Sequence, residues 1–327
     1  MILTTEQEMI RDAMRTFAQE RLAPNAYAWD KHHTFPADAL KELGALGAMG
    51  MVVPEEWGGA GMDYMSLVLM LEEIAAGDGA TSTIVSVQNS LPCGITLKYG
   101  TPEQKETWLK PLARGEKLGC FCLTEPHTGS DASALTTRAD RDGDHFVLNG
   151  VKQFITTGKH ADVAIVFAVT DKAAGKKGIS CFLVPTSTPG YVVARIEEKM
   201  GQHASDTAQI LFDNCRVPAT ALLGPEGEGY KIALSALEGG RMTVSELYGH
   251  IQRDPRHKDV VLLHYEEIAE RRFAGWTMGE VNMNRINASI LLKYAEKPVL
   301  DPYSVSGQVS LALLDELMAT ASIIGRA

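Results

Sequence analysis

The sequence predicts a multidomain chain of mixed α and β structure. An all-helical N-terminal domain is expected over residues 1–120 and a β-barrel domain over 121–225. A hinge with the start of a helix follows over 226–241, then a small α+β piece with trailing helices over 242–327. Three observations predict this. Apolar residues recur at helical spacing up to about residue 120, and from 121 the period changes to two. The alternation then ends in the glycine-rich run Leu223-Gly224-Pro225-Glu226-Gly227-Glu228-Gly229-Tyr230, the composition of a connector.

In chain order, Thr4 and Thr5 stand three residues before Gln7 and Glu8 as overlapping capping boxes. Ile10, Met14, Phe17 and Leu22 then repeat as one amphipathic stripe expected to end at Pro24. Phe35-Pro36 opens a second helix through Leu40, Leu43 and Leu46, stopped by Gly44, Gly47 and Gly50. Gly58-Gly59-Ala60-Gly61 lacks the leading strand and spacing of a dinucleotide loop and reads as a connector. Met65–Ala76 and Thr81–Tyr99 are again helical, with Pro92 as a kink or break, and Thr101-Pro102-Glu103-Gln104 caps a last helix through Trp108 and Leu112.

Beyond 121, Asp142-Gly143 and Asn149-Gly150 are turn dipeptides. The expected hairpin joins His145–Leu148 to Val151–Thr156 through Asn149-Gly150. Further strands are expected over Val163–Val169, Ile179–Val184, Val192–Ile196 and Ala208–Phe212, a count and punctuation that fit a small barrel or sandwich. A helix begins near Lys231. Past it come a β-like Val260–His264 run, helical spacing at Ile286, Ile290, Leu291, Leu292 and Tyr294, and a final helix through Val309, Leu313, Leu314, Leu317 and Met318.

Composition excludes several function classes. The 327 residues are 45% hydrophobic, enough for more than one core, and the net charge of −10 offers no basic footprint for nucleic acid. The apolar runs are too short to span a bilayer, and the N-terminus lacks the charged-then-apolar order of a signal peptide, so a cytoplasmic protein is expected. Five cysteines are an odd count for a disulfide framework. Cys120 and Cys122 share one strand face without a completing ligand pair, and they read as reduced core thiols. His250, His257 and His264 recur every seven residues, but Pro255 interrupts the helix that would align them. No metal is expected.

The stretch with most chemistry is Phe121-Cys122-Leu123-Thr124-Glu125-Pro126-His127-Thr128-Gly129-Ser130-Asp131. It alternates as a strand and then dissolves into turn residues. It reads either as a solvated loop or as a nest of backbone N–H groups, helped by the hydroxyls of Thr124, Thr128 and Ser130. Such a nest would hold a phosphate or the polar edge of a flat heteroaromatic ring. This text resembles the flavin-binding signature of the acyl-CoA dehydrogenase family. So do Val53-Pro54-Glu55-Glu56-Trp57-Gly58-Gly59, Tyr99-Gly100-Thr101-Pro102-Glu103-Gln104-Lys105, Lys199-Met200-Gly201, Ser205-Asp206-Thr207 and Phe212-Asp213-Asn214-Cys215-Arg216-Val217-Pro218.

The resemblance, over residues 1 to about 241, implies FAD as cofactor and α,β-dehydrogenation of an acyl-CoA. It also implies an electron-transfer flavoprotein as acceptor and a homo-oligomer. It implies flavin contacts at Phe121, Leu123, Thr124, Gly129 and Ser130, and at Phe154, Ile155 and Thr156 on the following strand, where Phe154 stands in a place commonly held by Trp. Ser130 would lie where flavin and thioester meet. Arg241 would lie beside the substrate, with Glu238 as a weaker, carboxylate candidate, and Gly240 stands where some members carry the catalytic glutamate.

Past Arg241 the text changes. Leu237-Glu238-Gly239, a helix over Val244–Ile251, Asp254-Pro255-Arg256-His257, and Trp276 with Met278 resemble the second half of a BLUF domain, the blue-light sensor fold that also binds FAD. That resemblance implies Trp276 and Met278 near a flavin. It leaves the dehydrogenase without its C-terminal helical bundle, so impaired turnover is expected. The alternatives are a light-sensing or flavin-binding module, or a hybrid without an evolved combined function.

Overall fold

A computed structural model of the chain describes residues 3–239, 280–281 and 323–324. The chain divides into two units, Ile2–Arg241 and Met242–Ala327, the latter with Met1.

The first unit opens with α1 (Thr5–Phe17), capped by the Thr4/Gln7 capping box. Pro24 does not end this helix. A π-turn over Ala18–Leu22 shifts the hydrogen-bond register, and Pro24 then falls in the first turn of α2 (Ala23–His32), where its missing N–H leaves no bond unmade. The helix stops at His33, in the left-handed region at φ 53°. α3 (Ala37–Ala45) follows, then α4 (Tyr64–Gly77), capped by Asp63, and α5 (Gly79–Gln88), capped by Asp78. The chain stays helical through Pro92 by a second π-turn, Asn89–Cys93, into α6 (Gly94–Tyr99). A Thr101/Gln104 capping box then starts α7 (Pro102–Gln104), which a third π-turn joins to α8 (Lys110–Ala113). Leu22, Leu43, Met49, Met70, Ile74 and Ile84 fill the helical core.

The sheet comprises β1 (Gly119–Cys122), β2 (Arg138–Asp142), β3 (His145–Thr156), β4 (Val163–Val169), β5 (Ile179–Pro185), β6 (Tyr191–Ile196) and β7 (Thr207–Pro218). The order is β1-β4-β2-β3-β7-β6, with β5 also paired to β4. The sheet curls around a core of Phe146, Phe182, Phe212, Ile210 and Val166. β4 explains its own unbroken apolar sequence. Ala164, Val166 and Ala168 face this core, while Val163, Ile165 and Phe167 face a second core shared with Leu109, Leu112 and Ala113 of the helical domain. α9 (Gly229–Gly239) starts two residues earlier than its sequence suggests and adds Ile232 and Ala233 to that second core.

The expected hairpin at Asn149-Gly150 is not there. The reversal between β2 and β3 falls at Gly143 (φ 61°), pairing Asp142 with His145, and Asn149-Gly150 lies within the single strand β3. Gly150 is needed for close approach instead. At φ 154° it packs on Thr137, which a Cβ at that position would meet at 2.5–2.7 Å. Asn149 uses its side chain to accept the amide of Asn214, the left-handed residue (φ 48°) of a bulge in β7.

In the second unit the described residues are β8 (Glu280–Val281) and β9 (Ile323–Ile324), which pair antiparallel. The expected helices at Val244–Ile251, Ile286–Tyr294 and Val309–Met318, and the Val260–His264 strand, lie outside the described residues.

Candidate flavin site

The site is built where the end of β1 meets the last turn of β3. The amide of Gln153 donates to the carbonyl of Thr124 (2.8 Å), so the chain leaving β1 runs beside β3 as far as Glu125. Glu125 and Thr128 then exchange backbone hydrogen bonds at 3.0 Å each way, a tight turn that delivers Gly129 and Ser130 to the surface.

Beneath the turn is a pair that sequence reasoning missed. Lys152 is fully buried and Glu125 is 5% exposed. The Lys152 Nζ donates to Glu125 Oε1 at 2.8 Å and to the Leu123 carbonyl at 3.1 Å. The Glu125 carboxylate also accepts the amides of Thr136 (2.7 Å) and Thr137 (2.9 Å) and the Thr136 hydroxyl (2.7 Å). Burial alone would raise the Glu125 carboxyl, but the ammonium and these donors outweigh it and hold it at about 2. Burial pulls the Lys152 ammonium below its ordinary range, and Glu125 opposes that pull. A charged residue on the inward phase of β3, two places after Gly150, was the one signal of the pair in the sequence.

A bulge sets what β3 presents. Between the pairs Lys152/Ile210 and Ile155/Ala208, β3 has one residue more than β7, and Phe154 takes the left-handed conformation at φ 59°. The extra residue inverts the alternation. Phe154 turns out to solvent at 63% exposure, while Ile155 turns into the sheet core at 2%. An aromatic in a strained backbone and outside the core is the kind of outlier that marks a ligand surface. The chain after it is fastened too. Asp206 accepts the amide of Thr157 through its carbonyl (3.0 Å) and that of Lys159 through its carboxylate (2.8 Å), and it pairs with His160 at 2.7 Å.

The donors fit a flat, polar-edged ligand. Among the described residues the amides of Gly129 and Ser130 and the hydroxyls of Thr124, Ser130 and Thr156 make no hydrogen bond, and a Cβ on Gly129 would meet open space. Thr128 departs from the expected nest, being buried with its hydroxyl spent on the Ala134 carbonyl at 3.3 Å. Phe121 is half-buried against Phe167, and Leu123 is 8% exposed in the core shared with the helices. Leu123 and Ile155 therefore turn their side chains to cores, in contrast to Phe154, Thr156, Thr124 and Ser130. Arg241, Trp276 and Met278 lie outside the described residues, as does the Glu238 side chain, whose backbone lies in the last turn of α9.

Comparison with known proteins places this geometry in a family. The N-terminal domain of acyl-CoA dehydrogenases matches residues 4–116 and the middle domain 120–215. The domain described as sensors of blue-light using FAD matches 220–279. Human short-chain specific acyl-CoA dehydrogenase, a mitochondrial protein, is 46% identical over 243 residues, covering 74% of this chain and 59% of the relative. The chain thus spans about three fifths of the length of such curated relatives. A glutaryl-CoA dehydrogenase from Mycobacterium smegmatis in complex with FADH2 is 34% identical with a TM-score of 0.69, covering 97% of this chain and 72% of that one. A chain in the structure of the electron transferring flavoprotein of Acidaminococcus fermentans is 44% identical with a TM-score of 0.72, covering 76% of this chain and 66% of that one. Two consecutive family domains, and a relative matched over most of its length around the Phe121–Thr156 site, show that the chain belongs to the acyl-CoA dehydrogenase family.

Proposed function

We propose that the chain binds FAD at the Phe121–Thr156 edge and is an oxidoreductase of the acyl-CoA dehydrogenase type, acting on an acyl-CoA with impaired turnover. The observation that supports this best is Phe154. It is an exposed aromatic held at φ 59° by a bulge, on the same end of the sheet as the unbonded amides of Gly129 and Ser130. In this reading the Phe154 ring stacks on the isoalloxazine, while the amides and the hydroxyls of Ser130, Thr124 and Thr156 hold its polar edge. When bound, FAD supplies acceptance of a hydride from the substrate β-carbon. The chain's own work is to orient ring and thioester and to shield one face from water.

Proton removal from the α-carbon needs a carboxylate within hydrogen-bond reach, and a missing general base costs about 10²–10⁴-fold. Gly240 occupies the place of one such glutamate. Glu238 stands two residues before that place, and two residues that far apart on any α-helix project about 200° apart, so it is a poor substitute by sequence position alone. Turnover is therefore expected to be slow or absent. An electron-transfer flavoprotein as acceptor, a homo-oligomeric state, Arg241 beside the substrate, a cytoplasmic location, and domain boundaries near 120, 225 and 241 belong to the same proposal.

A second reading is favoured by the blue-light-sensor match over 220–279. It is a flavin-binding hybrid without dehydrogenation, and Trp276 and Met278 are its candidate flavin neighbours. One experiment separates the two: anaerobic mixing of the FAD-reconstituted chain with a panel of straight and branched acyl-CoAs, alongside blue-light illumination. Slow bleaching by substrate that is lost in Glu238→Gln supports the first reading with Glu238 as the base. A reversible red shift under blue light, without bleaching, supports the second.

A further inference from the structure

The Lys152–Glu125 pair has a place in the chain that packing does not explain. A buried ion pair is seldom more stabilising than apolar residues of the same volume, so its value lies in what it fixes. Lys152 Nζ holds two acceptors on either side of Thr124, the Leu123 carbonyl and the Glu125 carboxylate. That carboxylate in turn holds the backbone of Thr136 and Thr137, beyond the turn. One ammonium on β3 thus closes both ends of the loop 126–135, and Gly129 and Ser130 sit within that closed loop. Lys152 is fully buried, with the Cys122 thiol as a further neighbour, and the four lone-pair positions of the Glu125 carboxylate are all taken by Lys152, Thr136 and Thr137, so the pair is turned to the loop base and away from the surface.

We propose that Lys152 and Glu125 are positioning residues for the flavin edge. They never touch the cofactor and act by fixing the height and tilt of the Gly129–Ser130 amides against the Phe154 ring. The inference rests on the FAD reading given above. The direction of the effect follows from the bonds. Without the ammonium, the Leu123 carbonyl loses its donor and an unpaired carboxylate remains under the loop. The loop base opens, while the ladders that form the sheet are left intact.

The test uses the full chain in two variants, each read three ways: amide hydrogen exchange without cofactor, a fluorescence titration with FAD, and the urea midpoint. In Lys152→Met the Thr136 and Thr137 amides are expected to exchange at least about tenfold faster while those of β4 and β7 are unchanged, and the FAD dissociation constant to rise at least about tenfold, as the loss of the ammonium's two bonds, to the Leu123 carbonyl and the Glu125 carboxylate, implies. Thr136→Val alters an exposed side chain. It keeps the proposal falsifiable if the first variant does not fold. It removes one hydroxyl donor from the buried carboxylate, so the urea midpoint is expected to fall slightly and FAD binding to weaken at least about threefold beyond what that fall accounts for. A purely structural role would move affinity only in step with that midpoint. Unchanged exchange at Thr136 and Thr137, or FAD affinity within about twofold of the parent in both variants, overturns the proposal. Failure of the parent chain itself to take up FAD overturns the functional reading instead, and the exchange data on the same samples still show whether the pair closes the loop.

Discussion

Replacing Gly150 by Ala tests the strand register on which the site depends. At φ 154° an L-residue costs about 1–3 kcal/mol of backbone strain. The added Cβ would also meet Thr137 Oγ1 at 2.5 Å and its Cα and Cβ at 2.7 Å, distances that no side-chain rotation relieves because one atom is backbone. Overpacking of that kind costs about 1–3 kcal/mol, and the loss of glycine entropy in the unfolded chain returns about 0.4–1 kcal/mol. The net expectation is a loss of about 1–5 kcal/mol. Gly143→Ala is the matched control. It lies at φ 61° with nothing within 4 Å of its Cβ, so only the left-handed penalty applies, and the net cost is about 1 kcal/mol or less. Urea unfolding followed by circular dichroism gives both values. If Gly150→Ala is no more costly than Gly143→Ala, the reversal lies at Asn149-Gly150 after all, and the positions assigned to Lys152, Phe154 and Thr156 are wrong with it.

Other expectations follow from the same geometry. Ser130→Ala and Thr156→Val are each expected to weaken FAD binding severalfold, and Thr188→Val, in the loop between β5 and β6, to leave it unchanged; equal affinities in all three by fluorescence titration would remove those hydroxyls from the site. The junction of α2 with the sheet is expected to be pH-dependent. His203 is raised above its ordinary 6.5 by its ion pair with Asp30 at 3.0 Å and its bond to the Lys199 carbonyl. Asp30 is held below 3.8 by the His203 amide and ring. The His203 contribution is complete below 6.5 and is lost as pH rises through the higher folded value, while that of Asp30 is present above 3.8 and lost as pH falls through its lower folded value. His33, stacked on His203, and Lys159, His160, Glu197, Lys199 and Asp206 line the same cleft. His203→Gln is expected to flatten the decline of the unfolding midpoint on the alkaline side, and parallel profiles for parent and variant would refute the assignment.

The domain plan was legible because each period is a direct consequence of burial. The helical stripe through Met14 and Phe17 faces one core, and the caps at Thr4 and Thr101 satisfy orphan amides by local chemistry alone. Turn chemistry was less legible. Asn149-Gly150 has the composition of a hairpin turn, but its glycine answers a contact with Thr137, just before the neighbouring strand β2, and no local pattern encodes that contact. Pro24 and Pro92 misled or blurred the helix boundaries because a π-turn just before Pro24 leaves it in the first turn of α2, and a second π-turn holds Pro92 itself. At the site, Phe154 and Thr156 were found, but the bulge that sends Phe154 outward and Ile155 inward depends on pairing with β7, far along the chain. The Lys152–Glu125 bond was hidden for the same reason, since its partners are 27 residues apart.

The most direct measurement is a fluorescence and absorption titration of FAD into the purified full chain, run beside its Phe154→Ala variant. The account predicts saturable binding with a perturbed flavin spectrum in the parent. It predicts at least about tenfold weaker binding in the variant, the loss expected for removing one aromatic stacking contact. Because Phe154 is 63% exposed, the variant should keep the parent's unfolding midpoint or exceed it. Flavin bound equally well by both proteins, or by neither, would contradict the assignment of this edge as the cofactor site.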